Sequence, residues 1–94
     1  MSLLNENVGI HWTDRSIEHI AKHKVEPYEV EEGLLEDDPK IESTQKDRRG
    51  ILCQTITGRY ITVIVSYPPE DNTIRIITAR DMTKREKRRY RNSK

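Results

Sequence analysis

The stretch Gly58 to Arg80, GRYITVIVSYPPEDNTIRIITAR, restricts the possible folds more than any other part of the chain. Ile61, Val63, Val65 and Tyr67 alternate with Tyr60, Thr62, Ile64 and Ser66. A period of two with β-branched enrichment predicts a strand with one buried face. Pro68-Pro69-Glu70-Asp71-Asn72 ends it, because proline lacks the ladder donor and Asp-Asn suits a turn. Thr73 to Ala79 then returns as a second strand. Two strands alone are marginal in water, so further strands or helices must cover this ribbon. Arg59, Arg75 and Arg80 mark it, and it reads as the floor of a site for a phosphate-bearing polymer.

The preceding chain supplies the cover. Val8 to Trp12 reads as a short edge strand. Thr13 offers a helix cap with Asp14 in the first turn, and Trp12 and Ile17 have the spacing of a hydrophobic staple. Ile17, Ile20 and Ala21 predict the apolar stripe of a helix from about Asp14 to His23, with His19 opposite it. A second helix follows from Pro27, with Tyr28, Val30, Leu34 and Leu35 as its apolar positions, ending near Asp37. Glu26, Glu29, Glu31, Glu32 and Glu36 give it an acidic outer surface, and Asp38-Pro39 is its stop.

Ile41 to Gln45 reads as a polar strand, Lys46 to Gly50 as a turn, and Ile51 to Thr57 as another strand joined to the ribbon by a tight turn at Thr57-Gly58. Four consecutive strands joined by short turns predict an α+β fold: an antiparallel sheet of four to five strands with two helices on one face. Thr83-Lys84-Arg85-Glu86 matches a capping box, predicting a last helix from about Lys84 to Tyr90. It is charged nearly all round, so Met82 and Tyr90 must dock it.

Ninety-four residues give one domain spanning 1–94, with 1–7 and 91–94 expected to fray. Only 33% of residues are hydrophobic, 35% are charged, and there is no Phe, so much of the surface is polar or covered by a partner. The net charge of +1 conceals a split. Residues 1–40 hold ten acids and four Lys/Arg, net −6; residues 41–94 hold six acids and thirteen Lys/Arg, net +7. Such asymmetry points to nucleic acid on the basic half, or to a basic partner for the acidic half. Cys53, alone of its kind, excludes an internal disulfide and a cysteine-based zinc site, and reads as a small buried apolar residue. MSLLNENVG has neither a basic nor an apolar signal region, and no apolar run approaches the roughly 20 residues of a membrane span. A cytoplasmic protein without membrane contact is expected.

Ala21-Lys22-His23-Lys24-Val25, followed by Pro27-Tyr28-Glu29-Val30-Glu31-Glu32, resembles the Lys-His-Gly-Val and acidic-helix segment of the BrnT toxin family. Arg75-Ile76-Ile77-Thr78-Ala79-Arg80 and Met82 to Tyr90 resemble its closing strand and basic helix; Gly58-Arg59-Tyr60 and Trp12 match its Gly-Arg and opening Trp. The resemblance covers about residues 8 to 90 and is most specific in the C-terminal run. It implies a RelE-like fold with a short basic C-terminal helix. It also implies a ribonuclease toxin of a type II toxin–antitoxin pair, held inactive by a small DNA-binding antitoxin; a homodimer or a hetero-oligomer with that antitoxin is expected. The chain departs from the family at His19 (usually Asn), Lys24 (Gly), Cys53-Gln54 (Gly-Arg) and Thr78 (Ser).

Metal-independent RNA cleavage needs a proton acceptor, a proton donor and cations for the charge that develops on the phosphate. Arg59, Arg75 and Arg80 suit the last role through the bidentate guanidinium fork, with His23 as acid or base and Lys22 as a further cation. Arg48, Arg49, Lys84, Arg85, Arg88 and Arg89 are candidates for sequence-independent RNA contact. Each also has a plain reading, as a strand-edge solubiliser, a partner of the acidic helix, or part of a charged tail. His19 and His23 have the i, i+4 spacing of metal ligands, but no third ligand accompanies them, so neither metal nor cofactor is expected. Two other functions remain open at this level. One is a non-catalytic nucleic-acid-binding module; the other is an interaction protein whose basic half binds an acidic partner.

Overall fold

The computed structural model describes residues 9–36, 39–66 and 71–93. Residues 1–8, 37–38, 67–70 and Lys94 lie outside the described residues, and with them the expected fraying of 1–7 and most of the expected proline turn. α2 ends at Leu34 rather than near Asp37, and Arg91 and Asn92, expected to fray, are helical. The element order is β1 (Gly9–His11), α1 (Asp14–Lys22), α2 (Pro27–Leu34), β2 (Lys40–Gln45), β3 (Arg48–Gln54), β4 (Tyr60–Ser66), β5 (Thr73–Asp81) and α3 (Lys84–Asn92).

β2 to β5 form the expected antiparallel meander, in the sheet order β1-β5-β4-β3-β2. The sheet is mixed rather than antiparallel throughout, because β1 lies parallel to β5 at the edge, with His11 beside Arg75. The chain leaves β1, crosses through two helices to the far edge, and meanders back. Three reversals then bring β5 alongside β1 in the same direction.

Alternation separates two cores. Ile51 and Cys53 on β3, Ile61, Val63 and Val65 on β4, and Ile74, Ile76 and Ala79 on β5 face Ile20, Val25, Val30 and Leu34 of the helical segment. Several of these side chains are fully buried, each stabilising by roughly 1.5–3 kcal/mol against exposure. The opposite face carries Leu52, over which Met82 and Tyr90 dock α3, with the Tyr60 ring edge-on to Tyr90. Helices therefore cover both faces: α1 and α2 one, α3 the other.

The helical faces differ from the sequence reading. On α1 the buried positions are Ser16 and Ile20, while Ile17 is 39% exposed and Ala21 is exposed. Ser16 closes the capping box with Thr13, so its buried hydroxyl is hydrogen-bonded. On α2, Tyr28 and Leu35 are each 59% exposed, whereas Glu29, read as an outer acid, is buried. Gly33 permits this packing, since a Cβ there would meet Cys53 Sγ at 2.6 Å. β3 ends at Gln54 rather than Thr57, and residues 55–59 form the connection, with Gly58 at φ +95°.

Candidate active site

The expected arginine cluster divides between two ends of the sheet. Arg75 and Arg80 are five residues apart on β5, about 16 Å in an extended strand, and Arg80 is turned onto Glu86.

At one end the arginines are held by carboxylates. Arg80 forms a bidentate pair with Glu86, Nη1 to Oε1 at 2.7 Å and Nη2 to Oε2 at 3.1 Å. Arg59 donates through Nε to Asp81 at 2.8 Å and through Nη1 to Glu29 at 3.0 Å. Its Nη1 also reaches the carbonyl of Lys24 at 2.8 Å, and Nη2 reaches that of His23 at 3.4 Å, so this guanidinium closes the C-terminal end of α1. The hydrogen bond to Asp81 is the main cause that raises the Arg59 pKa, and the one to Glu86 does the same for Arg80. Reciprocally, Arg59 holds the Asp81 carboxyl below its ordinary range. Lys22 and His23 are exposed beside this cluster. Each of these two guanidiniums is thus engaged by a glutamate that also accepts a hydrogen bond at a helix start.

At the other end lies a cationic row. Arg48 on β3 is registered with Ser66 on β4, the Arg75 backbone N–H donates to Ser66 Oγ at 3.3 Å, and Arg75 is registered with His11 on β1. Arg75 alternates with the core residues Ile74 and Ile76, so it stands on the face away from α1 and α2. With only three residues, β1 leaves β5 uncovered beyond Arg75, and α1 borders that edge. The result is a cleft of about 690 Å³ lined by Arg48, Arg75 and His11, and by Arg15 and His19 from one side of α1. Among the described residues, none of the guanidiniums of Arg15, Arg48 and Arg75 forms an ion pair. Asp71 is the acid nearby, lining an adjoining hollow with His11 and Arg75.

The remaining candidates spread out. Arg49 donates to the backbone carbonyl of Arg48 at 3.0 Å, and Arg89 pairs with Glu42 at 2.6 Å. Lys84, Arg85 and Arg88 are exposed on α3, where Lys84 and Arg88 border a shallow hollow with Lys87 and Arg91. No group of three His, Cys, Asp or Glu side chains is placed to hold a metal among the described residues. None of the helices there is long and apolar enough to cross a membrane.

The sequence reading gave no role to Arg15 or His11 and considered His19 only as a metal ligand. Their signals were present: Arg15 and His19 are i, i+4 neighbours on a helix, and His11 follows the core residue Ile10 on a strand. What was missing was the parallel pairing that sets β1 against Arg75.

Comparison with known proteins agrees with this architecture. No curated protein sequence matches the chain. Among solved structures, the crystal structure of the Brucella abortus ribonuclease toxin BrnT is similar. It superposes with a TM-score of 0.65 at 22% identity, covering 82% of this chain and 99% of that one. The profile of the BrnT family, described as the ribonuclease toxin of a type II toxin–antitoxin system, matches residues 12–86. With most of its length matched, the chain belongs to the BrnT family of ribonuclease toxins.

Proposed function

We propose that the chain cleaves RNA without a metal, by attack of a ribose 2′-OH on the adjacent phosphate, which is held by Arg75 and Arg48 at the open end of the sheet. Family membership makes RNA the substrate and an antitoxin protein the partner. The cationic row carries the site assignment. Its guanidiniums have no ion-pair partner among the described residues, whereas Arg59 and Arg80 are each satisfied by carboxylates. A guanidinium not already held by a carboxylate stabilises the charge that gathers on the phosphate in the transition state. Lys22 and His23 lie at the far end of α1, roughly 10 Å along the helix from Arg15, and are assigned here to the border of the Arg59 cluster.

The antitoxin is taken to be a small DNA-binding protein forming a hetero-oligomer with the toxin in the cytoplasm. The acidic first half and basic second half of the chain supply a surface of either sign for it. Light scattering on the co-purified pair reads the stoichiometry.

The deciding experiment is incubation of labelled single-stranded RNA with purified protein in EDTA. Wild type should give 2′,3′-cyclic phosphate ends. Arg75→Ala should lose roughly 100- to 1,000-fold in rate, as when a preorganised donor is removed. Arg80→Ala should lower stability while the folded fraction still cleaves. Binding without cleavage by wild type would show the non-catalytic module instead.

A further inference from the structure

We infer that His11 and His19 are the proton-exchanging pair of the RNA-cleavage step, one accepting from the 2′-OH and the other donating to the leaving oxygen. This rests on the ribonuclease reading and on the cleft at Arg75. The two imidazoles come from different walls: His11 from the last residue of β1 and His19 from α1, two turns or less from its capped start. Both line the same cleft as Arg75. His19 is half-buried and His11 exposed, so both can be reached from solvent and by an extended RNA strand.

Elimination among the cleft's other side chains points the same way. Arginine does not give up its proton in proteins. Thr13 and Ser16 are engaged with each other in the capping box, Ser16 N–H to Thr13 Oγ1 at 3.0 Å and Thr13 N–H to Ser16 Oγ at 2.9 Å. Ile76 and Ile77 are apolar. Histidine is the side chain suited to both proton transfers near neutral pH. The charged groups that line the cleft and the adjoining hollow are Arg15 on α1, Arg48 on β3, Arg75 on β5 and Asp71 before β5, and Glu18, Lys22 and His23 lie within about a turn of His19 along the chain.

The step balances without a co-reactant. A neutral imidazole takes the proton from the 2′-OH, and O2′ forms a bond to phosphorus. The P–O5′ bond breaks, and O5′ takes a proton from the second, protonated imidazole. The products are a 2′,3′-cyclic phosphate and a 5′-OH. Each histidine ends in the state in which the other began, and exchange with solvent resets them.

The test is single-turnover cleavage of a fluorescent single-stranded RNA in EDTA across pH 5 to 8, with RNA affinity measured alongside. His11→Ala and His19→Ala should each lose about 100-fold or more, the range for one acid or base, while binding RNA as wild type does. Wild type should show a bell-shaped profile, and each variant should lose one limb. His19→Gln, which keeps an amide for hydrogen bonding but exchanges no proton, should fail as His19→Ala does. Circular dichroism confirms that each variant is folded. Wild-type rates in either alanine variant, an intact bell in both, or rescue by glutamine would overturn the assignment. If Arg75→Ala also bound and cleaved normally, the cleft itself would be wrong; if Arg75→Ala alone were impaired, only the histidines would be.

Discussion

Glu86 shows how one side chain can fix several parts of this protein at once. Its carboxylate accepts from Thr83 N–H at 2.9 Å, from Thr62 Oγ1 at 3.0 Å, and from both terminal nitrogens of Arg80. Burial pushes the carboxyl pKa up. The bonds from Arg80, Thr83 and Thr62 outweigh it and bring the value down from 4.5 to about 2. A carboxyl that stays charged to lower pH when folded than when unfolded stabilises the fold above its unfolded pKa. That stability is lost as pH falls through the folded value. The thermal midpoint of wild type should therefore drop between about pH 4.5 and about pH 2, with Asp81 contributing in the same direction. Glu86→Gln should be less stable at pH 7 by roughly 1–3 kcal/mol and should show a shallower acid slope. Circular dichroism melts across that range decide it, and equal slopes would refute the role. The sequence announced Glu86 as a cap through Thr83-Lys84-Arg85-Glu86. It could not announce the guanidinium, because Arg80 reaches Glu86 only once β5 is in register with β4 at Thr62.

Among the elements, the end of α1 closes through a residue other than glycine. Lys24 N–H donates to the carbonyl of Ala21 at 2.9 Å, and Val25 N–H donates to that of Ile20 at 3.0 Å. This pairing closes a helix through a left-handed residue, and Lys24 adopts φ 59°. Glycine takes that conformation freely; a lysine Cβ opposes it by roughly 1–2 kcal/mol. Lys24→Gly should therefore raise stability, by less than that amount because glycine also loosens the unfolded chain. A lower denaturation midpoint would contradict the argument. The same kind of context limited what periodicity could reveal elsewhere. Val30 and Leu34 were legible as core, but Tyr28 and Leu35 were not legible as surface. Glu29 was unreadable as buried, because its partner Arg59 lies thirty residues away. On β5, the register shift opposite Ile64 and Val65 sets Ile74, Ile76 and Ala79 on one face, a parity that strict alternation misses.

Taken as one body, the molecule separates its charges by face as well as by sequence. The acidic residues concentrate on α2, over one side of the sheet, while Arg48, Arg75 and α3 occupy the other, with Arg15 and His19 of α1 lining the cleft at the edge. An RNA strand approaching that second side meets two kinds of cation. Arg48 and Arg75 stand without an ion pair among the described residues, but Arg89 is already paired with Glu42 through two bonds of 2.6 and 3.1 Å. Salt dependence tells these apart, because only a cation that displaces condensed counterions contributes to the slope. Each phosphate contact on a single strand adds about 0.7 to the slope of log affinity against log salt. Arg48→Ala and Arg75→Ala should each flatten that slope by about 0.7 and weaken binding most at low salt. Arg89→Ala and Arg59→Ala should leave it unchanged, since their guanidiniums exchange a carboxylate for a phosphate with no net gain of contacts. Fluorescence anisotropy of one labelled RNA over a range of salt concentrations gives all four slopes. If Arg89→Ala flattened the line as much as Arg75→Ala, RNA would follow the basic helix rather than the open end of the sheet, and the cleft would lose its claim to the substrate.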